Sequence, residues 1–104
     1  MENEYGVKLD SNGYAPSVLC NGDCCFICGR GGDLIRHEVF HGISYRKRSK
    51  ALGAWVLLCP DCHENVHGCA AVEFPLKRTA QVTICAHYGW TINDFRERFG
   101  RNYL

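Results

Sequence analysis

Apolar residues are spread unevenly along this chain, and their spacing separates a weakly patterned front from a more regular remainder. Over residues 1–23 the apolar positions show little periodicity, and Gly6, Asn12-Gly13, Pro16 and Asn21-Gly22 punctuate the segment with turns. This predicts an extended N-terminal arm over 1–23, with a short strand near Val18-Leu19. Residues 33–40 read as a strand on the apolar positions Leu34, Ile35, Val39 and Phe40. Residues 41–52 carry mostly basic and small side chains and are expected to form a loop. Ala54-Trp55-Val56-Leu57-Leu58 predicts a second, mostly buried strand. A short helix should start at Pro60, where proline suits the first turn, and run to about His67 before Gly68 stops it. The longest helical pattern covers residues 75–88: Pro75 opens it, Leu76, Ala80, Ile84 and His87 or Tyr88 share a face, and Gly89 ends it. Thr91 and Asp94 make an N-cap pattern for a last helix through Phe99, with Gly100 as its stop. Residues 24–104 thus form a single domain behind the arm.

Composition sharpens this outline. A chain of 104 residues makes one modest core, so eight cysteines suggest covalent or metal reinforcement. The cysteines that matter come in C-x-x-C pairs and are accompanied by five histidines, while Met1-Glu2-Asn3-Glu4 lacks the character of a secretory leader. These features favour zinc in a reducing, cytoplasmic setting over a disulfide-rich secreted module. No apolar run approaches the ~20 residues of a membrane span. The net charge of +1 does not by itself announce a nucleic-acid binder. The distribution says more, because Arg46, Lys47, Arg48 and Lys50 are grouped in one run, with Arg30 and Arg36 upstream. That run is a candidate phosphate-binding segment.

Cys25-Phe26-Ile27-Cys28, followed by Gly29, and Cys59-Pro60-Asp61-Cys62 supply the four thiolates of a tetrahedral zinc site. Cys20 and Cys24 crowd the first pair, and Cys24 with Cys28 is an alternative, less usual spacing. Cys20, Cys24, Cys69 and Cys85 are otherwise expected to be partly buried free thiols, with Cys85 packing as a small hydrophobe. His63 and His67 lie i, i+4 on one face of the short helix, and His37-Glu38 on the first strand can be returned to that face. Glu64 gives a superficial likeness to the zincin H-E-x-x-H pattern, but the helix is too short for that arrangement. His87 is expected to be structural, and Trp55, Trp90, Phe95 and Phe99 to be core residues.

Cys25-x2-Cys28, His37-Glu38-Val39-Phe40-His41-Gly42, Arg46-Lys47-Arg48-Ser49 and Leu58-Cys59-x2-Cys62-His63-x3-His67 together resemble the HNH, or ββα-metal, endonuclease superfamily. The tail, Asp94-Phe95-x3-Phe99-Gly100-Arg101-Asn102-Tyr103-Leu104, is similar to that of small phage and prophage HNH-like proteins of bacteria. The resemblance implies an α+β fold: a zinc-stapled ββα-metal motif followed by two C-terminal helices. It implies a metal-dependent endonuclease acting on DNA by a one-metal mechanism in a bacterial host cytoplasm. Catalysis would fall to Glu38, His37, His63, His67 and Arg46, with His37, His63 and His67 holding a divalent ion and Glu38 in the position of the general base. The roles of His37 and Glu38 can also be exchanged, with the carboxylate on the metal and the imidazole as base. His41 is available as a spare base. The middle asparagine of the superfamily motif has no counterpart, leaving Ser49 or the loop backbone for its place. Arg46, Lys47, Arg48 and Lys50 would meet the DNA backbone. A histidine-rich site suits Mn2+, Ni2+ or Zn2+ better than Mg2+. The rival reading is a non-catalytic zinc-binding adaptor for DNA or protein.

Overall fold

Strand β1 (Ile35–Glu38), helix α1 (Arg46–Ala51), strand β2 (Trp55–Leu58) and helices α2 (Pro60–Gly68), α3 (Ala70–Tyr88) and α4 (Ile92–Phe99) follow one another in a computed structural model. It describes residues 1–20 and 22–104, so the turn expected at Asn21-Gly22 lies outside the described residues. The fold is α+β. The strands pair antiparallel, with Ile35 opposite Leu58, Arg36 opposite Leu57, His37 opposite Val56 and Glu38 opposite Trp55. Alternation along β2 buries Val56 and Leu58, and helix α2 follows directly, completing a ββα unit.

The core lies where this unit meets α3 and α4. Val39, Phe40, Val56, Leu58, Val66, Leu76, Ala80, Ile84, Phe95 and Phe99 are buried together. Phe40 is its centre: its ring lies 5.0 Å from that of Phe95 and 4.6 Å from that of Phe99. The expected face of the long helix is present in Leu76, Ala80 and Ile84, and it continues to half-buried Tyr88 rather than to exposed His87. The capping box at Thr91 and Asp94 starts α4 as expected, and left-handed Gly89 and Gly100 end α3 and α4.

Four expectations need correction. Residues 46–51 are helical, not loop; this helix buries only Ser49, so it has no apolar stripe to betray it, although Arg, Lys and Ala are good helix formers. Helix α3 begins at Ala70, and Pro75 sits inside it rather than at its start. Ala70, Ala71, Val72 and Glu73 form the missed first turn, anchored by N–H groups of Val72 and Glu73 donating to the Cys69 carbonyl. Val18-Leu19 is not a strand. Its backbone makes one sheet-like bond, Val18 N–H to the Gly53 carbonyl at 2.9 Å, and the Leu19 and Cys20 N–H groups donate to the Ser17 hydroxyl instead. Finally, Trp55 and Trp90 are half-buried rather than core. Each indole N–H reaches an arm acceptor, the Ala15 carbonyl or the Tyr5 hydroxyl, and each ring meets a guanidinium, that of Arg36 or Arg98.

The arm is laid along the domain. Asn3 donates to the Ala51 carbonyl at 2.8 Å, Ala15 N–H to the Lys50 carbonyl at 3.0 Å, and the Ser17 hydroxyl to the Trp55 carbonyl at 2.6 Å. At Gly53, with φ of 79°, an added Cβ would meet the Pro16 carbonyl oxygen at 2.5 Å, so this close passage requires glycine. At the other end of the chain, buried Gln81 donates to Asn102 and accepts from the Tyr103 N–H, both at 2.7 Å, tying the tail to α3. No helix among the described residues is long and apolar enough to cross a membrane.

Candidate metal centre

The first C-x-x-C pair sits on a turn just before β1, and the second spans the end of β2 and the first turn of α2. Phe26 N–H donates to the Leu57 carbonyl at 2.8 Å, which brings the two turns side by side. The sulfur atoms of Cys25, Cys28, Cys59 and Cys62 all lie within 4.8 Å of one another. Cys59 is the N-cap of α2, and its sulfur accepts from the Cys62 N–H. Burial works to raise the Cys25 thiol, but backbone N–H groups of Cys28, Cys59 and Ile27 donate to its sulfur and bring it down to about 6. Cys62 is pushed up to about 12 by burial and by hydrogen bonds to the other three sulfurs. Four thiolates so close repel one another unless a cation neutralises them. The set has the donors and spacing of a structural zinc site. Cys24 does not join it; Cys24 and Cys69 are exposed rather than partly buried, while Cys20 and Cys85 are partly buried, and all are free thiols.

Beside this cluster, helical periodicity stacks His63 and His67 on one face of α2, with their Nε2 atoms 3.1 Å apart. Strand β1 brings His37 to them: its ring centre lies 5.5 Å from that of His63 and 5.2 Å from that of His67. The three histidines each offer a nitrogen within 4.8 Å of the others, a group that could hold an ion. His37 is only 3 % exposed. Its Nε2 is the one buried side-chain polar atom without a hydrogen-bond partner among the described residues. An orphaned lone pair or N–H costs about 1–3 kcal/mol, which a bound cation would remove. Burial and the nearby His67, His63 and His41 depress His37 to about 4, and burial and His67 lower His63 as well. His37 is therefore neutral at neutral pH, as a metal ligand must be.

These residues line a cleft of about 230 Å³ together with Arg36, Glu38, His41 and Arg46. Glu38 is not one of the three clustered donors. Its Oε2 accepts from the Tyr14 hydroxyl at 2.9 Å, and its Oε1 lies 3.7 Å from Nε of exposed Arg46. His41 is turned to Glu73 at 3.2 Å, and Lys77 holds the same Glu73 oxygen at 2.6 Å. Ser49 does not line the cleft; it is buried, and its hydroxyl accepts from Phe40 N–H and donates to the Ala54 carbonyl, joining the two ends of the connection between the strands. Within the basic run, Arg46, Lys47 and Arg48 are exposed, with Arg48 donating to the Arg98 carbonyl at 2.8 Å, and half-buried Lys50 lies over the Tyr14 ring. Tyr14 and Glu73 were missed in the sequence. Tyr14 lies in the unpatterned arm, and Glu73 in the turn that Pro75 concealed.

A two-stranded hairpin and a following helix, stapled by four cysteines and offering three convergent histidines, define a ββα-metal architecture. Residues 25–68 match the family model of the HNH endonucleases, and this part of the chain is an HNH endonuclease domain. No curated protein and no solved structure matches the chain significantly.

Proposed function

We propose that this chain is a metal-dependent endonuclease that hydrolyses DNA phosphodiester bonds with one divalent ion held by His37, His63 and His67. The observation that carries this reading is the orphaned, buried Nε2 of His37, converging with two further imidazoles in a cleft that also contains a carboxylate and an arginine. A divalent ion bound there supplies charge for the phosphate and for the leaving 3′-oxygen. Glu38 stands outside the histidine cluster, which favours it as the base and His37 as a ligand. Glu38 takes the proton of a water whose oxygen attacks phosphorus; the P–O3′ bond breaks and the leaving oxygen gains a proton from solvent. Arg46, exposed beside Glu38, reaches the phosphate, and Lys47, Arg48 and Lys50 extend the contact along the backbone. Cys25, Cys28, Cys59 and Cys62 hold a structural zinc, and Mn2+, Ni2+, Zn2+ or Mg2+ serves the histidines. The resemblance of the tail supports phage or prophage origin and action in a bacterial cytoplasm. The division into an arm at 1–23 and a domain at 24–104 belongs to the same proposal.

Nicking of supercoiled plasmid by purified protein, with each metal in turn, tests the reading. His63→Ala should abolish cleavage and weaken binding of the second metal while leaving the zinc in place. Glu38→Gln should keep the metal and slow turnover by roughly 10²–10⁴-fold. A parent that nicks with none of these metals, or variants that nick like the parent, would replace the nuclease with the non-catalytic adaptor.

A further inference from the structure

Building on the nuclease reading, we propose that the N-terminal arm supplies a working part of the site: Tyr14 is a positioning residue that fixes the orientation of the Glu38 carboxylate. Its hydroxyl donates to Oε2 of Glu38 at 2.9 Å across 24 residues of chain. That bond engages one carboxylate oxygen and leaves the other, Oε1, as the one that faces Arg46. A carboxylate without this restraint turns about its terminal torsion and closes on Arg46, and a base that samples several orientations spends less time in the one that reaches the attacking water.

The phenol is itself held in place. Asp10 accepts from the N–H groups of Asn12 and Tyr14 at 2.8 and 3.0 Å, shaping the arm into a turn. The second oxygen of Asp10 accepts from Arg36 at 2.9 Å, and the Arg36 guanidinium lies 4.4 Å from the centre of the Tyr14 ring and 5.2 Å from that of Trp55. Tyr14 meets Trp55 edge to face at 5.4 Å, and Trp55 ties back to the arm through the Ala15 carbonyl. The strand register explains the convergence, because Glu38 pairs with Trp55. The arm residue that packs on the indole is thereby presented to the carboxylate opposite. Burial and the bond to Glu38 raise Tyr14 to about 12, so the hydroxyl keeps its proton, and the bond its donor, throughout the neutral range.

The test is a double-mutant cycle of Tyr14→Phe and Glu38→Gln, read in plasmid nicking alongside melting temperature, zinc content and second-metal affinity. Tyr14→Phe keeps the ring and its packing. It should lower kcat roughly tenfold, the order expected for one lost hydrogen bond, with KM, both metals and melting unchanged. In the Glu38→Gln background the same substitution should cost nothing further. A purely structural tyrosine would instead cost the same factor in both backgrounds, which overturns the inference, as does a Tyr14→Phe protein that nicks like the parent. A parent that does not nick at all removes the nuclease reading and this inference with it.

Discussion

If His37 is a ligand, the pH dependence of metal binding at the histidine cluster should be shallower than three ordinary imidazoles would give. Protons and metal compete for the same nitrogen lone pairs, so lowering the pH weakens binding by the fraction of each ligand that becomes protonated. Between about pH 7 and about pH 5.5, an imidazole with the ordinary pKa of ~6.5 costs roughly 8-fold in affinity, and three such ligands cost roughly 600-fold. His37 is depressed to about 4 and stays neutral over this whole interval. One of the three factors of roughly 8 therefore drops out, which takes the three-imidazole reference down to ~70-fold, and the lowered His63 reduces it further. Calorimetric titration of zinc-loaded protein with Ni2+ at the two pH values measures the ratio directly. A loss near 600-fold would show that His37 titrates as an ordinary exposed histidine and would refute the argument from burial. The same depression has a sign for stability without the second metal. The unfolded chain accepts a proton near pH 6.5 that folded His37 refuses, so stability is full above that pH. It is lost as pH falls toward 4, by about 3 kcal/mol.

Three further outcomes are expected. Cys59→Ser should lose zinc and cooperative folding together, because Cys59 is both a buried sulfur of the quartet and the cap of α2; zinc content and a circular-dichroism melt check this, and a melt like the parent's would mean that the quartet does not staple the fold. Arg46→Ala with Lys47→Ala should flatten the salt dependence of DNA affinity by about 2 in log–log slope, at roughly 0.9 per lost phosphate contact, whereas an unchanged slope would leave both side chains solvated. Phe40→Ala, at the meeting of the Phe95 and Phe99 rings, should cost about 3–5 kcal/mol in denaturant unfolding, and a cost under ~1 kcal/mol would contradict the packing.

Legibility in the sequence followed the range of the interaction. The two cysteine turns and the His63–His67 pair are local patterns whose chemistry is set by spacing, and the structure gathers them as that spacing implied. The Thr91–Asp94 cap is local too. Helix α1 was hidden because its only buried residue is Ser49, a polar side chain that hydrophobic periodicity does not count. The start of α3 was hidden because a proline normally marks a beginning, and here Ala70, Ala71, Val72 and Glu73 precede it in the helix. Tyr14 was invisible for a different reason. Its importance lies in a contact with Glu38 that exists only once the arm has passed over Gly53 and Trp55. The roles of His37 and Glu38 are likewise not written in adjacent letters, since the grouping of His37 with His63 and His67 depends on which side chain faces α2.

Cys62 and His63 are neighbours on α2, yet one belongs to the sulfur cluster and the other to the histidine cluster. Consecutive residues on an α-helix are rotated by about 100°. A single short helix thus feeds two chemically different centres, and their relative placement is a matter of angular phase rather than of any particular side chain. One inserted residue between Cys62 and His63 would leave all four sulfurs in place while swinging both imidazoles about a quarter-turn from His37. The convergence would not survive this change, and buried Val66, turned with the imidazoles, would leave the core as well. The tolerance of this chain to length variation should therefore be lowest in a stretch where many individual substitutions, such as those at exposed Glu64 and Asn65, are harmless.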